Sequence, residues 1–359
     1  MPSRTPHPSR REFLASSSLA ALAASLPASS ALAAPSRSDP GAAPQAPFDS
    51  LRDYVAALDA HGLLVRIPRI NQDRYQTTAL MFYATEKYGF TGSPAFLFER
   101  IKIDGEWMPG PVLANHMAHW DADCIAFGLE PVPGDGYATY RRAKAHLTEL
   151  LVANQGMYPL IPPVEIPRER APCKEVVLTG DDIDLLSFAF MKTNPADAGR
   201  YLNTGAVFTT DAKLGNNFGT YRCQIVGPRK LRINSEKNHV GYKTWMAARE
   251  RGEEVAKVTI VQGTDPAVYT LSGSPIARRR EEPVDELAMA GGLRGKPLEV
   301  VKSDTNDMLI PAHAEIVVEG EVPLQAPLER EGPFGEMFGY QGPQKEAVFT
   351  LNVTRVTHR

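Results

Sequence analysis

At 359 residues, with a formal net charge of −3 and 43% hydrophobic residues, the chain has the makeup of a soluble globular protein of roughly two domains. The charge argues against a nucleic-acid partner, and three cysteines (Cys124, Cys173, Cys223) without metal-ligand spacing argue against a disulfide framework. Thirty prolines and twenty-eight glycines point to many turns, as in a β-rich protein.

Residues 1–34 read as a twin-arginine export signal. Ser9-Arg10-Arg11-Glu12-Phe13-Leu14 leads into a mild apolar run that ends in the small-x-small pattern Ala31-Leu32-Ala33. The run is too short and too polar for a membrane span, which needs about 20 apolar residues. The expected mature protein is carried folded by the twin-arginine translocase and is periplasmic and soluble, with no stable membrane insertion.

Residues 35–48 form a Pro/Ala/Ser-rich linker. An α/β domain is expected over 49–164. Ser50 is a helix cap; Leu51, Tyr54, Val55 and Leu58 recur at helical spacing, and Gly62 ends the helix. A strand over 63–67, a helix over 77–87, a strand over 95–98 and a helix over 137–154 follow, the last with its apolar residues in the core. His116 and His119 stand at i, i+3, but their neighbours supply no consistent tetrahedral set, so the reading is structural.

From Cys173 the texture changes to short β-type runs (174–178, 206–210, 222–226, 231–234, 256–262, 314–319) separated by Gly, Pro, Asp and Asn. Helical signals break in only at 242–251 and 284–290. The pattern predicts a mostly antiparallel barrel over 165–326 and an α+β fold class.

Residues 327–359 hold the pattern with the most chemistry in it, Glu331-Gly332-Pro333-Phe334-Gly335-Glu336. Pro333 fixes one φ and the glycines let the backbone bend, so two carboxylates can be aimed at one place. Paired carboxylates held that way do acid/base chemistry, because proximity and burial push their pKa values apart. Upstream lie three further pieces: Asn216-Asn217-Phe218-Gly219-Thr220-Tyr221-Arg222, read as a turn entering a strand; Lys237-Asn238-His239-Val240-Gly241; and Pro283-Val284-Asp285-Glu286 running into Ala290-Gly291-Gly292-Leu293-Arg294-Gly295.

These four pieces, in this order, resemble the UbiD family of reversible decarboxylases, from about Leu51 to Arg359. The resemblance implies a split β-barrel related to FMN-binding reductases, prenylated FMN as cofactor, and a divalent metal, usually manganese, with potassium a further candidate. It implies Asn217, His239 and Glu286 as metal ligands gripping the cofactor phosphate, with Thr220, Tyr221 and Arg222 also at the cofactor. It implies Arg222, Glu331 and Glu336 as the catalytic set: Arg222 holds the substrate carboxylate, Glu331 pairs with Arg222, and Glu336 delivers the proton that replaces CO2. The expected substrate is an aromatic or α,β-unsaturated acid, with a flavin prenyltransferase supplying the cofactor. Family members continue into a C-terminal α/β domain that builds the oligomer, and 348–356 reads as its opening strand, an unpartnered edge. The alternatives are a non-catalytic flavin-binding remnant and an FMN reductase on the same barrel.

Overall fold

A computed structural model describes residues 44–274, 284–336 and 339–359. The export signal, most of the linker, Pro283 and Met337-Phe338 lie outside the described residues. The first helix, α1 (Leu51–Ala60), starts at Ser50, whose hydroxyl accepts from Asp53 N at 3.2 Å while Ser50 N donates to the Asp53 carboxylate at 3.1 Å. Tyr54, Ala57 and Leu58 bury one face of it. Then come β1 (Leu64–Ile67), β2 (Ile70–Asn71), α2 (Gln76–Tyr88), β3 (Ala95–Ile103), β4 (Glu106–Ala114), α3 (Trp120–Ala126) and α4 (Gly136–Ala153). β1 and β2 lie parallel along successive stretches of β3, and β4 runs antiparallel to it. α4 meets its expectation in part. Leu147, Leu150 and Leu151 pack against the core as expected and Thr139 and Ala143 are buried, whereas Tyr137 and Val152 face solvent.

The second part contains β5 (Val164–Glu165), β6 (Val176–Thr179), β7 (Tyr201–Leu202), β8 (Ala206–Asp211), β9 (Gly215–Thr220), β10 (Cys223–Gly227), β11 (Lys230–Ile233), α5 (Val240–Glu250), β12 (Val255–Gln262), α6 (Pro266–Ser272) and α7 (Glu286–Arg294). After these come β13 (Glu299–Lys302), β14 (Leu309–Pro311), β15 (Ile316–Pro323), β16 (Glu329–Glu331), β17 (Phe334–Gly335), β18 (Gln341–Gly342) and β19 (Lys345–His358). Ten of the strands build one curled antiparallel sheet in the order β7-β10-β11-β19-β15-β12-β8-β9, with β16 and β6 also paired to β19. The period-2 alternation of β-branched residues dictates its two apolar faces. Val207, Ile260 and Val318 pack with Trp245 of α5, and Phe208, Val261 and Val317 with Val268 of α6 and Met289 of α7.

Two expectations fail here. The segment from Asn216 to Thr220 is strand, not turn, because it pairs residue for residue with β8 from Ala206↔Thr220 to Asp211↔Gly215. β19 is no unpartnered edge. It is a central strand, lying between β11 and β15, with β16 and β6 also paired to it. Among the described residues no helix is long and apolar enough to cross a membrane.

Candidate active site

Arg222 follows β9, Glu331 ends β16 and Glu336 follows β17, and the three meet. Arg222 Nε and Nη2 donate to the two Glu331 oxygens at 3.0 and 2.9 Å, a bidentate pair, and Nη1 donates to Glu336 Oε1 at 2.9 Å. With its amide oxygen toward the guanidinium, Asn234 accepts from Nε and Nη2 at 3.1 and 3.2 Å. Side-chain exposure rises along the row, from 0% at Glu331 through 11% at Arg222 to 32% at Glu336. One carboxylate is therefore locked and the other is reachable. The Phe334 ring lies 4.7 Å from the guanidinium carbon and meets the Tyr201 ring edge-on at 4.7 Å. Burial pulls the Arg222 pKa down, but the Glu331 hydrogen bonds and charge outweigh it and hold it above its ordinary value. Burial, and then the Glu331 charge, raise the pKa of the Tyr201 hydroxyl and of the Cys223 thiol.

The carboxylate turn docks on the loop before β7. Ala198 N donates to Pro333 O at 2.9 Å, and a Cβ on Gly335 would stand 2.1 Å from Asn194 Nδ2. Only glycine allows that approach. Gly335→Ala should therefore destabilise the protein by about 1–3 kcal/mol, and Asn194→Ala in the same chain should recover most of it. Urea midpoints of the two variants check this, and an unaffected single variant would refute it.

Of the expected metal set, the structure brings Asn217 and Glu286 together. Asn217 Nδ2 donates to both Glu286 oxygens at 2.8 and 3.0 Å, and Phe218 N donates to Oε2 at 2.7 Å. Asn217 Oδ1 is buried without a hydrogen-bond partner. An orphaned amide oxygen beside a carboxylate is a donor pair that suits a hard cation. His239 caps α5, and its ring stacks on Tyr221 at 5.1 Å with 20° between planes. Its Nδ1 accepts from Glu236 N at 3.0 Å, so ligation through that nitrogen would have to displace the amide. The Tyr221 ring is buried against Gly219 and Gly241, and its hydroxyl accepts from Gly241 N at 3.3 Å. Thr220 Oγ1 shares a 2.6 Å hydrogen bond with Ser272 Oγ. Among the described residues no group of three or more His, Cys, Asp or Glu side chains is placed to hold a metal. The expected set contains two such residues and an asparagine, so that finding does not touch it. His116 is half-buried against Tyr269, with its pKa pulled down to about 4 by desolvation, and His119 Nδ1 accepts from Asp121 N at the start of α3.

Sequence reasoning missed Tyr201, Asp197, Glu236 and Lys345. Glu236 and Lys345 form an ion pair between the two halves of the site. Lys345 first, with His239 and Arg222 after it, holds the Glu236 carboxyl below its usual range despite some burial. No short motif marks these positions; their role depends on β19 placing Lys345 opposite Glu331.

Comparisons with known proteins find a family and several relatives of similar fold. Residues 164–359 match the model of the UbiD family, the 3-octaprenyl-4-hydroxybenzoate carboxy-lyase Rift-related domain. An uncharacterized protein of Aquifex aeolicus (strain VF5) is 31% identical over 301 residues, covering 82% of this chain and 60% of its own length. The vanillic acid decarboxylase of Sedimentibacter hydroxybenzoicus in closed form superposes with a TM-score of 0.74 at 27% identity, over 87% of this chain and 62% of that one. An evolved dimeric form of the UbiD-class enzyme HmfF from Pelotomaculum thermopropionicum, in complex with prFMN, gives 0.71 at 29% identity, over 87% and 66%. The chain thus spans less than two thirds of the length of these relatives.

Proposed function

The chain belongs to the UbiD family, and from that premise we propose that it is a carboxy-lyase releasing CO2 from an aromatic or α,β-unsaturated acid. The observation that carries the reading is Arg222 held bidentately by fully buried Glu331, with a second, reachable carboxylate on its remaining nitrogen. An arginine pre-aligned in that way suits a planar carboxylate. Prenylated FMN, when bound, supplies the electron sink that decarboxylation at an sp² carbon requires and that no side chain offers. Asn217 and Glu286 would hold a divalent cation such as manganese for its phosphate, joined by His239 once Nδ1 leaves the Glu236 amide. Arg222 orients the substrate carboxylate and Glu331 fixes Arg222. Glu336 passes a proton to the carbon that CO2 vacates, so that an acid anion and one proton become CO2 and the protonated carbon.

Glu336→Gln in cofactor-loaded protein should lower turnover by about a hundred- to ten-thousandfold, read as CO2 release from a panel of acids that includes vanillic acid. Full activity in that variant would remove Glu336 from the chemistry. The twin-arginine reading adds a periplasmic location, which Arg10→Lys with Arg11→Lys should abolish in a fractionation experiment.

A further inference from the structure

We propose that Asp197 is a positioning residue for this site: its carboxylate holds the Gly335 N–H and so sets where Glu336 meets Arg222. The run Asn194-Pro195-Ala196-Asp197-Ala198-Gly199 has the composition of a solvated turn, yet Asp197 is 4% exposed. A carboxylate is buried at a high cost unless its oxygens are bonded. Oδ1 accepts from Gly335 N at 2.7 Å, and Oδ2 accepts from Thr193 Oγ1 at 3.0 Å and from Asn194 N at 2.9 Å.

The frame behind Asp197 is itself fixed. Arg200 Nε donates to Phe190 O at 2.7 Å, and Met191 bridges to Tyr201. From the other side Gln72 Nε2 donates to Lys192 O at 2.8 Å and Thr78 Oγ1 to Thr193 O at 2.5 Å. The two carboxylates on Arg222 therefore have separate supports. Glu331 is held by its pairing with β19, and Glu336, one residue beyond Gly335, by the Asp197 loop together with its own N–H, which donates to Tyr340 O at 2.8 Å. Loss of Asp197 loosens Glu336, leaving Tyr340 O on its own N–H and the Gln341 amide oxygen 3.2 Å from Gly335 N, while the Arg222–Glu331 pair stays.

The inference rests on the decarboxylase reading for its kinetic arm alone. Hydrogen exchange in Asp197→Ala, read by mass spectrometry, should speed up by at least about tenfold in the peptide spanning Gly335 and leave the β19 peptides unchanged. Unchanged exchange at Gly335 overturns the proposal. In the holoenzyme kcat should fall by about a hundredfold, the scale of a small misplacement of a reacting group, with KM little altered because Arg222 keeps its grip. Asp197→Asn, whose amide oxygen can still accept from Gly335, should recover part of that loss. Asp197→Ala combined with Glu336→Gln should be no slower than Glu336→Gln alone, since both act through one group; additive losses would overturn the link to Glu336. If no acid in the panel yields CO2 with the unsubstituted holoenzyme, the decarboxylase reading falls, and the exchange result still decides whether Asp197 holds the turn.

Discussion

Arg222→Ala should cost both turnover and stability. Turnover should drop by about a hundred- to a thousandfold, the effect of removing one donor aimed at substrate charge. Stability should drop by about 3–5 kcal/mol, because Glu331 is 0% exposed and would be left as an uncompensated buried carboxylate. The two losses can be separated. Arg222→Met with Glu331→Leu replaces the ion pair by apolar groups of similar volume, so the urea midpoint should return toward the starting value while activity stays lost. A single variant that unfolds at the same urea concentration as the unsubstituted protein would mean that the pair contributes nothing to the fold.

A second large effect is expected at a cluster with no part in the chemistry. Lys174 and Glu319 are both 0% exposed, and Lys174 Nζ bonds Glu319 Oε1 and Asp304 Oδ1, each at 3.1 Å. Glu319 also accepts from Asp304 N, Thr305 N and Thr305 Oγ1, and Asp304 takes Arg168 bidentately at 3.2 and 3.0 Å. Lys174→Met should therefore destabilise by about 3–5 kcal/mol. The cluster also carries a pH signature. Burial by itself would raise the Asp304 pKa, but Arg168 and Lys174 outweigh it and hold the carboxyl below its ordinary value. Its stabilisation is thus complete above the unfolded value of about 3.9 and is lost as pH falls through the lower folded value. Removing Lys174 weakens that depression, so the variant should lose less stability than the unsubstituted protein as pH drops through this window. Urea midpoints at neutral and acid pH decide the point; parallel losses would contradict it.

Local rules read much of the fold correctly. Ser50 and the helical spacing of Leu51, Tyr54, Val55 and Leu58 announced α1, and the β-type runs of β8 and β12 announced strands, because cap chemistry and residue periodicity leave their mark within a few residues. The strand β9 was hidden because Gly-Asn-Asn-Phe-Gly-Thr has turn composition, and only pairing with β8 makes it extended. Arg222, Glu331 and Glu336 were legible as a set, and the structure brings all three together. The supports of that set were not legible. Asp197, Tyr201 and Lys345 lie outside its motifs and act through tertiary contacts that no short pattern encodes. Lys174 was read as the start of a strand, whereas it lies in a short helical turn with its ammonium fully enclosed.

The place of β19 bears on biosynthesis. It joins β7, β10 and β11 to β15, β12, β8 and β9, so a nascent polypeptide that has not yet emitted residues 345–358 holds two incomplete half-sheets with open edges. The contact between β6 and β19 spans most of the second part of the chain, and such closures are slow to form. The α1–β4 layer, built from near-neighbour contacts, can assemble while synthesis continues; the large sheet has to wait for β19. Ribosome-bound chains arrested before residue 345 should therefore bind a holdase chaperone, and chains extended until β19 has emerged should shed it.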